Sequence, residues 1–168
     1  MYRVKSIFPS FVLKQLYYSL AYPYLIYCIL AWGKTSLAVL NPLIILQKRL
    51  IRLIAGSEYL AHTSPLFKAL SLLKFHDIYS LSVLVYMFKT LVLNKYPNML
   101  SRIYQLQPNH YYNTRNDNFI LPRCLNKCKQ SLLYQGISLW NSIPLYMKSS
   151  LSLCSFKRNW KSFVLMKY

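Results

Sequence analysis

Apolar residues recur along the first two-thirds of this chain at the spacing of helices, every three or four positions, with few alternating stretches. Leu13 to Trp32 reads as an apolar-rich helix that Pro23 should kink or divide and Gly33 should end. Asn41-Pro42 has the form of an N-cap followed by proline at the first helical position. It predicts a helix from Pro42 to Ala55 closed by Gly56, with Leu43, Leu46, Leu50 and Leu53 as its apolar face. Ser64-Pro65 repeats that signature and should open a short helix through Leu70. A longer helix is expected from about Asp77 to Leu93, its acid at the positive end of the helix dipole. Only Lys89 interrupts its uncharged length, so it should be the central core helix.

The pattern then changes. From about Gln105 to Cys128, Asn, Pro, His, Tyr and Arg dominate, and Asn113 to Asn118 reads as a polar turn. Phe119 to Leu121 suits a short strand, half of a hairpin with residues around Tyr111. Helix returns from Ser131 to Trp140 despite Gly136. Ser152 or Ser155 should open a last helix in which Phe156, Trp160, Phe163 and Val164 share one face, with Lys157, Arg158 and Lys161 on the rest. Trp140 is expected to be a buried anchor of this segment, with the aromatics of the last helix as its partners.

Charge sharpens the picture. The 168 residues hold 21 Lys and Arg but three acids, Glu58, Asp77 and Asp117, a formal net charge of +18. Two-metal phosphoryl or nucleotidyl transfer needs at least two carboxylates converging on the ions, and no adjacent pair exists. Glycoside hydrolysis needs two carboxyls at a set separation, and nothing points to one. A Ser-His-Asp triad is arithmetically open, but no nucleophile turn of the G-x-S-x-G type occurs. Catalysis by this chain alone is therefore not expected.

So basic a chain repels itself, and a polyanion is its natural complement. Sixteen tyrosines and three tryptophans interleave with the cations. That mixture suits single strands or a heteroduplex, although half-buried core tyrosines with wet hydroxyls are the commoner use. At 55% hydrophobic, the chain can bury a core.

The cysteines at 28, 124, 128 and 154 are expected to be reduced thiols in an intracellular compartment, because the first twelve residues lack the apolar run of a cleavable signal peptide. Cys124-x3-Cys128 could form half of a zinc site with His110 or Cys154, but the spacing favours no metal. Gln15 to Gly33 holds 19 uncharged residues, close to the length that spans a bilayer. Its tyrosines are spread throughout instead of gathered at two interfaces. A buried amphipathic segment is favoured over a membrane anchor.

A closing segment and six stretches before it resemble one family. Tyr134-Gln135-Gly136, Leu139 to Pro144 (LWNSIP) and Leu151 to Lys157 (LSLCSFK) resemble the closing segment of reverse transcriptases from non-LTR, LINE-type (jockey-like) retrotransposons. Leu16 to Gly33 is similar to the thumb helix after the polymerase palm. Leu46 to Arg49 with Arg52 to Gly56 is similar to the next thumb helix. His62 to Leu66, Leu72 to Tyr79, Asn113 to Arg115 and Leu121 to Arg123 continue the resemblance. The family copies its own transcript into DNA at a nicked chromosomal target. Its paired aspartates and their Mg²⁺ lie in an upstream palm that nothing here matches, so no catalytic residue carries over and no cofactor is expected in this chain. Leu145-Tyr146-Met147 departs from the family, which more usually has an acidic or polar residue there.

The expected fold is mainly α. A poorly defined segment (1–12) precedes a small helical, thumb-like bundle (13–100). A basic segment (101–168), irregular with one short β-hairpin, then ends on a helix. The implied function is grip on the backbone of RNA, DNA or an RNA–DNA heteroduplex, working with the missing upstream polymerase domain, in the nucleus or cytoplasm. The candidate contacts are Lys48, Arg49 and Arg52, then Arg115, Arg123, Lys127 and Lys129, then Lys157, Arg158 and Lys161. A cationic membrane-associated protein anchored through 15–33 and a non-functional retrotransposon remnant are the alternatives.

Overall fold

A computed structural model describes residues 7–93, 119–123, 125 and 128–168. The protein is mainly α. Its helices are α1 (Ser10–Leu16), α2 (Tyr22–Ile26), α3 (Ile29–Trp32), α4 (Leu37–Ala55), α5 (Thr63–Ala69), α6 (Phe75–Leu91), α7 (Leu132–Ser142), α8 (Leu145–Lys148) and α9 (Leu153–Met166). Among the described residues the only β feature is an isolated bridge at Phe119. The expected hairpin partner around Tyr111 lies outside them.

The chain divides into two compact units, 1–79 with 161–168, and 80–160. In the first unit, the expected single helix from Leu13 to Trp32 is in pieces. A π-turn, Tyr17–Ala21, separates α1 from α2, and the Tyr22 N–H reaches back to the Tyr17 carbonyl. The proline ring at 23 crowds the turn before it, and widening that turn relieves the clash. The chain then breaks at Cys28, which is left-handed (φ 46°). The Trp32 indole braces this corner by donating to the Tyr27 carbonyl at 2.7 Å, while its ring stacks on Phe75 at 5.5 Å. No helix of the described residues is long and apolar enough to cross a membrane.

Helix α4 corrects two expectations. It starts at Leu37, not Pro42, so Asn41 is no cap. Pro42 leaves the Ala38 carbonyl without its helical donor, at a position where Ala38 is exposed to solvent. The buried face is also rotated. Leu40, Gln47, Ile51 and Ile54 point inward together with Leu53, whereas Leu46 is 54% exposed. The helix is apolar on several sides, and only its neighbours decide which side is covered. Gly56 closes it as read, left-handed at φ 67°, with the Ser57 N–H on the Arg52 carbonyl at 3.0 Å.

Helix α5 starts at Thr63 with His62 as its cap, two residues earlier than the Ser64-Pro65 signature implied. Helix α6 gives Phe75–Tyr79 to the first unit and the rest to the second. In the second unit its Val83, Leu84, Met87 and Phe88 are fully buried, as a central core helix requires. Phe156 of α9 stacks on Phe88 at 4.7 Å and on Trp140 of α7 at 6.2 Å. Trp140 is 4% exposed, the anchor the pattern predicted. Gly136 allows the close approach there: a Cβ on it would stand 2.8 Å from the Met87 sulfur.

Candidate nucleic-acid interface

In the first unit the candidate cations rest on a polar hub that the sequence reading passed over. The Gln47 side chain is 2% exposed. Its Nε2 donates to the Tyr17 hydroxyl at 3.1 Å and to the Leu73 carbonyl at 3.0 Å, and its Oε1 accepts the Phe75 N–H at 2.9 Å. One amide thus ties α4 to the chain entering α6. A glutamine on the inward face of an apolar helix was the available signal, obscured because that face had been placed elsewhere.

Three candidates sit on α4 and do different things. Lys48 is exposed and borders a pocket of about 340 Å³ formed with α5 and the start of α6. Arg49 is exposed and reaches Tyr59, donating to its hydroxyl at 3.2 Å with its guanidinium 5.9 Å from the ring centre. An Arg–Tyr pair of this kind offers a charge and a flat face together. Arg52 is half-buried, and its Nε donates to the Ala61 carbonyl at 2.8 Å. It therefore braces the loop after Gly56.

The C-terminal Tyr168 closes the far side of this region. Its hydroxyl donates to the Asp77 carboxylate and accepts the Lys74 N–H at 2.9 Å. The Lys74 ammonium lies 4.1 Å from the Tyr168 ring centre and donates to Ser64 Oγ at 3.1 Å. Burial, then the Asp77 carboxylate, pushes the Tyr168 hydroxyl far above the usual tyrosine range. The half-buried Asp77 carboxylate is thereby paired within the protein. Lys161, also in this unit, is half-buried, and burial followed by the charge of Lys14 lowers its pKa. Its protonated form carries a cost that an approaching phosphate would relieve.

The second unit explains the closing motif as a structural corner. Ser131 caps α7, its hydroxyl accepting the Tyr134 N–H at 3.4 Å. Gln135 Nε2 donates to the Lys129 carbonyl at 2.6 Å. Asn141 clamps the backbone of Phe119 on both sides, accepting its N–H at 3.0 Å and donating to its carbonyl at 2.9 Å. A side-chain amide here does what a neighbouring strand would do. Ile143 is buried, and Pro144 (φ −62°) precedes α8, whose Met147 is fully buried while Leu145 and Tyr146 are exposed. The roles of Gln135 and Asn141 were not legible from spacing.

Also in the second unit, Arg123, Lys129, Lys157 and Arg158 are all exposed. Arg115 and Lys127 lie outside the described residues, as do Cys124 and His110. Cys28, Cys128 and Cys154 are exposed free thiols. Among the described residues no three metal-capable side chains come together. Compared with known protein families, curated proteins and solved structures, the chain matches none.

Proposed function

We propose that this chain grips the sugar–phosphate backbone of nucleic acid, as the thumb and closing segment of a non-LTR retrotransposon reverse transcriptase. The observation that carries this reading is the placement of Lys48 and Arg49. Both are exposed on a 19-residue helix, held by Gln47 to its surroundings, in a chain of net charge +18. Cations on a rigid helix neutralise phosphates without reading bases. The family-like stretches supply the polymerase context. Under this reading the upstream palm holds the Mg²⁺ and does the chemistry in the nucleus or cytoplasm, while this chain positions the duplex.

The test is affinity against salt for single-stranded RNA, single-stranded DNA and an RNA–DNA heteroduplex. All should bind with little sequence preference and a steep negative slope of log affinity against log salt, about 0.7–0.9 per phosphate neutralised. Lys48→Ala with Arg49→Ala should weaken binding to every sequence alike and flatten the slope by up to about two. A slope unchanged in that double variant removes α4 from the interface. Failure to bind any of the three removes the function.

A further inference from the structure

The pocket beside Lys48 has a chemistry that backbone grip does not call for. It lies wholly in the first unit, enclosed by α4, α5 and the start of α6, and measures about 340 Å³, within the size range of small-ligand sites. Its floor is apolar: Phe67 and Phe75, each 1% exposed, line it. Its polar rim is cationic or donating, with Lys48, Lys74, His62, His76 and Asn41, and among the described residues no carboxylate lines it. Lys74 is held in place by Ser64 and the Tyr168 ring. Gln47 spends its amide on three internal partners and so serves as a rigid wall.

We propose that this pocket binds a phosphate monoester. A diester running along a strand continues in two directions and suits an open helix face. A concavity with a closed apolar floor suits a group that projects and ends. A monoester also carries about −1.5 to −2 charge at neutral pH and three acceptor oxygens. Two ammonium groups and imidazole N–H donors around an anion give charge-assisted bonds, strengthened where water is partly excluded. The monoester could be the phosphorylated end of a nucleic-acid strand or a free small phosphate. The site does not depend on the proposed backbone grip.

Histidines make it directly readable. The chain has three, and His62 and His76 line the pocket. Inorganic phosphate titrated into the full chain above about pH 7, where a monoester is mostly dianionic, should move the imidazole NMR signals of His62 and His76. Lys48→Gln and, separately, Asn41→Ala should each raise the apparent Kd for phosphate, Lys48→Gln by about tenfold. Lys34→Gln, an exposed charge change elsewhere, should leave it alone. Oligonucleotides of one sequence carrying a 5′-phosphate, a 3′-phosphate or neither then identify the source. Tighter binding of one phosphorylated end, with the same two histidines responding, assigns the site to strand ends. A response to inorganic phosphate without an end preference assigns it to a free phosphate. Histidine signals that stay still at saturating phosphate, or move equally in Lys48→Gln, overturn the proposal. Loss of all oligonucleotide binding with the phosphate response intact would instead overturn the backbone grip.

Discussion

Gln47 and Tyr17 show how a buried polar pair is kept affordable in an apolar bundle. The amide is buried, yet every strong hydrogen-bonding direction is used, which is the condition for burying a polar group without a net penalty. Replacing Gln47 with Leu would orphan the Phe75 N–H, the Leu73 carbonyl and the Tyr17 hydroxyl. At roughly 1–3 kcal/mol for each of three buried groups left unpaired, the variant should lose at least about 3 kcal/mol. This is measurable as a lower urea midpoint at unchanged slope, and a loss below about 0.5 kcal/mol would demote the hub. Tyr17 carries a pH signature as well. Burial, against a smaller opposing effect of the Gln47 bond, pushes its hydroxyl up from the usual 10.0 to about 12. Its folded state thus holds a proton that the unfolded chain has released. That stability is fully present below pH 10.0 and is lost as pH rises through about 12. Two pKa units correspond to about 3 kcal/mol. Tyr17→Phe should therefore flatten the alkaline fall in stability over that window, read by denaturant midpoints at a series of pH values. Tyr168, shifted in the same direction, leaves the remainder of the fall in place.

At the scale of elements, the closing motif is best understood as a corner built by three residues. Trp140 fills the core against Phe156, Asn141 fastens the Phe119 backbone, and Pro144 starts the next turn. Trp140→Ala should cost about 3–5 kcal/mol, which a domain of ordinary stability could hardly absorb. A stacking tryptophan would instead lose about 1–3 kcal/mol of binding and keep its fold. Thermal unfolding together with oligonucleotide binding separates the two: the expected result is loss of the cooperative transition or aggregation. A variant that melts normally and only binds nucleic acid more weakly would reverse the assignment. The positions of most helices were legible from periodicity, because an apolar stripe every three or four residues states both type and extent. Faces and starts were less so. On α4 nearly every side offers apolar residues between 37 and 54, so the pattern alone could not choose the side through Leu40, Gln47, Ile51 and Ile54.

For the whole molecule, charge is the dominant quantity. With 21 basic and three acidic side chains, and Asp77 already committed to Tyr168, little internal countercharge faces the surface. A polyanion that bound only the folded chain, as proposed, would raise its melting temperature. The same shortage of carboxylates limits chemistry. Purified chain supplied with template, primer, nucleotides and Mg²⁺ or Mn²⁺ should incorporate no nucleotide, because two-metal geometry needs converging carboxylates. Incorporation abolished by Asp77→Asn would contradict that expectation.

Sequence by itself determined the helical class, the core role of α6, the closure at Gly56 and the place of Trp140. Each follows from local rules: a 3.6-residue period, a left-handed cap that glycine favours, a large apolar ring at a helical register. It also determined the charge and the lack of paired acids, which need no coordinates. Only tertiary structure decided which cations are free. Lys48 and Arg52 lie four residues apart on one helix and look equivalent in sequence, yet one borders an open pocket and the other is bound to the Ala61 carbonyl. The pocket, the Gln47 hub and the Asn141 clamp join residues distant along the chain. No local pattern records such pairings, because the free energy that selects them comes from burial and hydrogen bonds made only once the helices have packed.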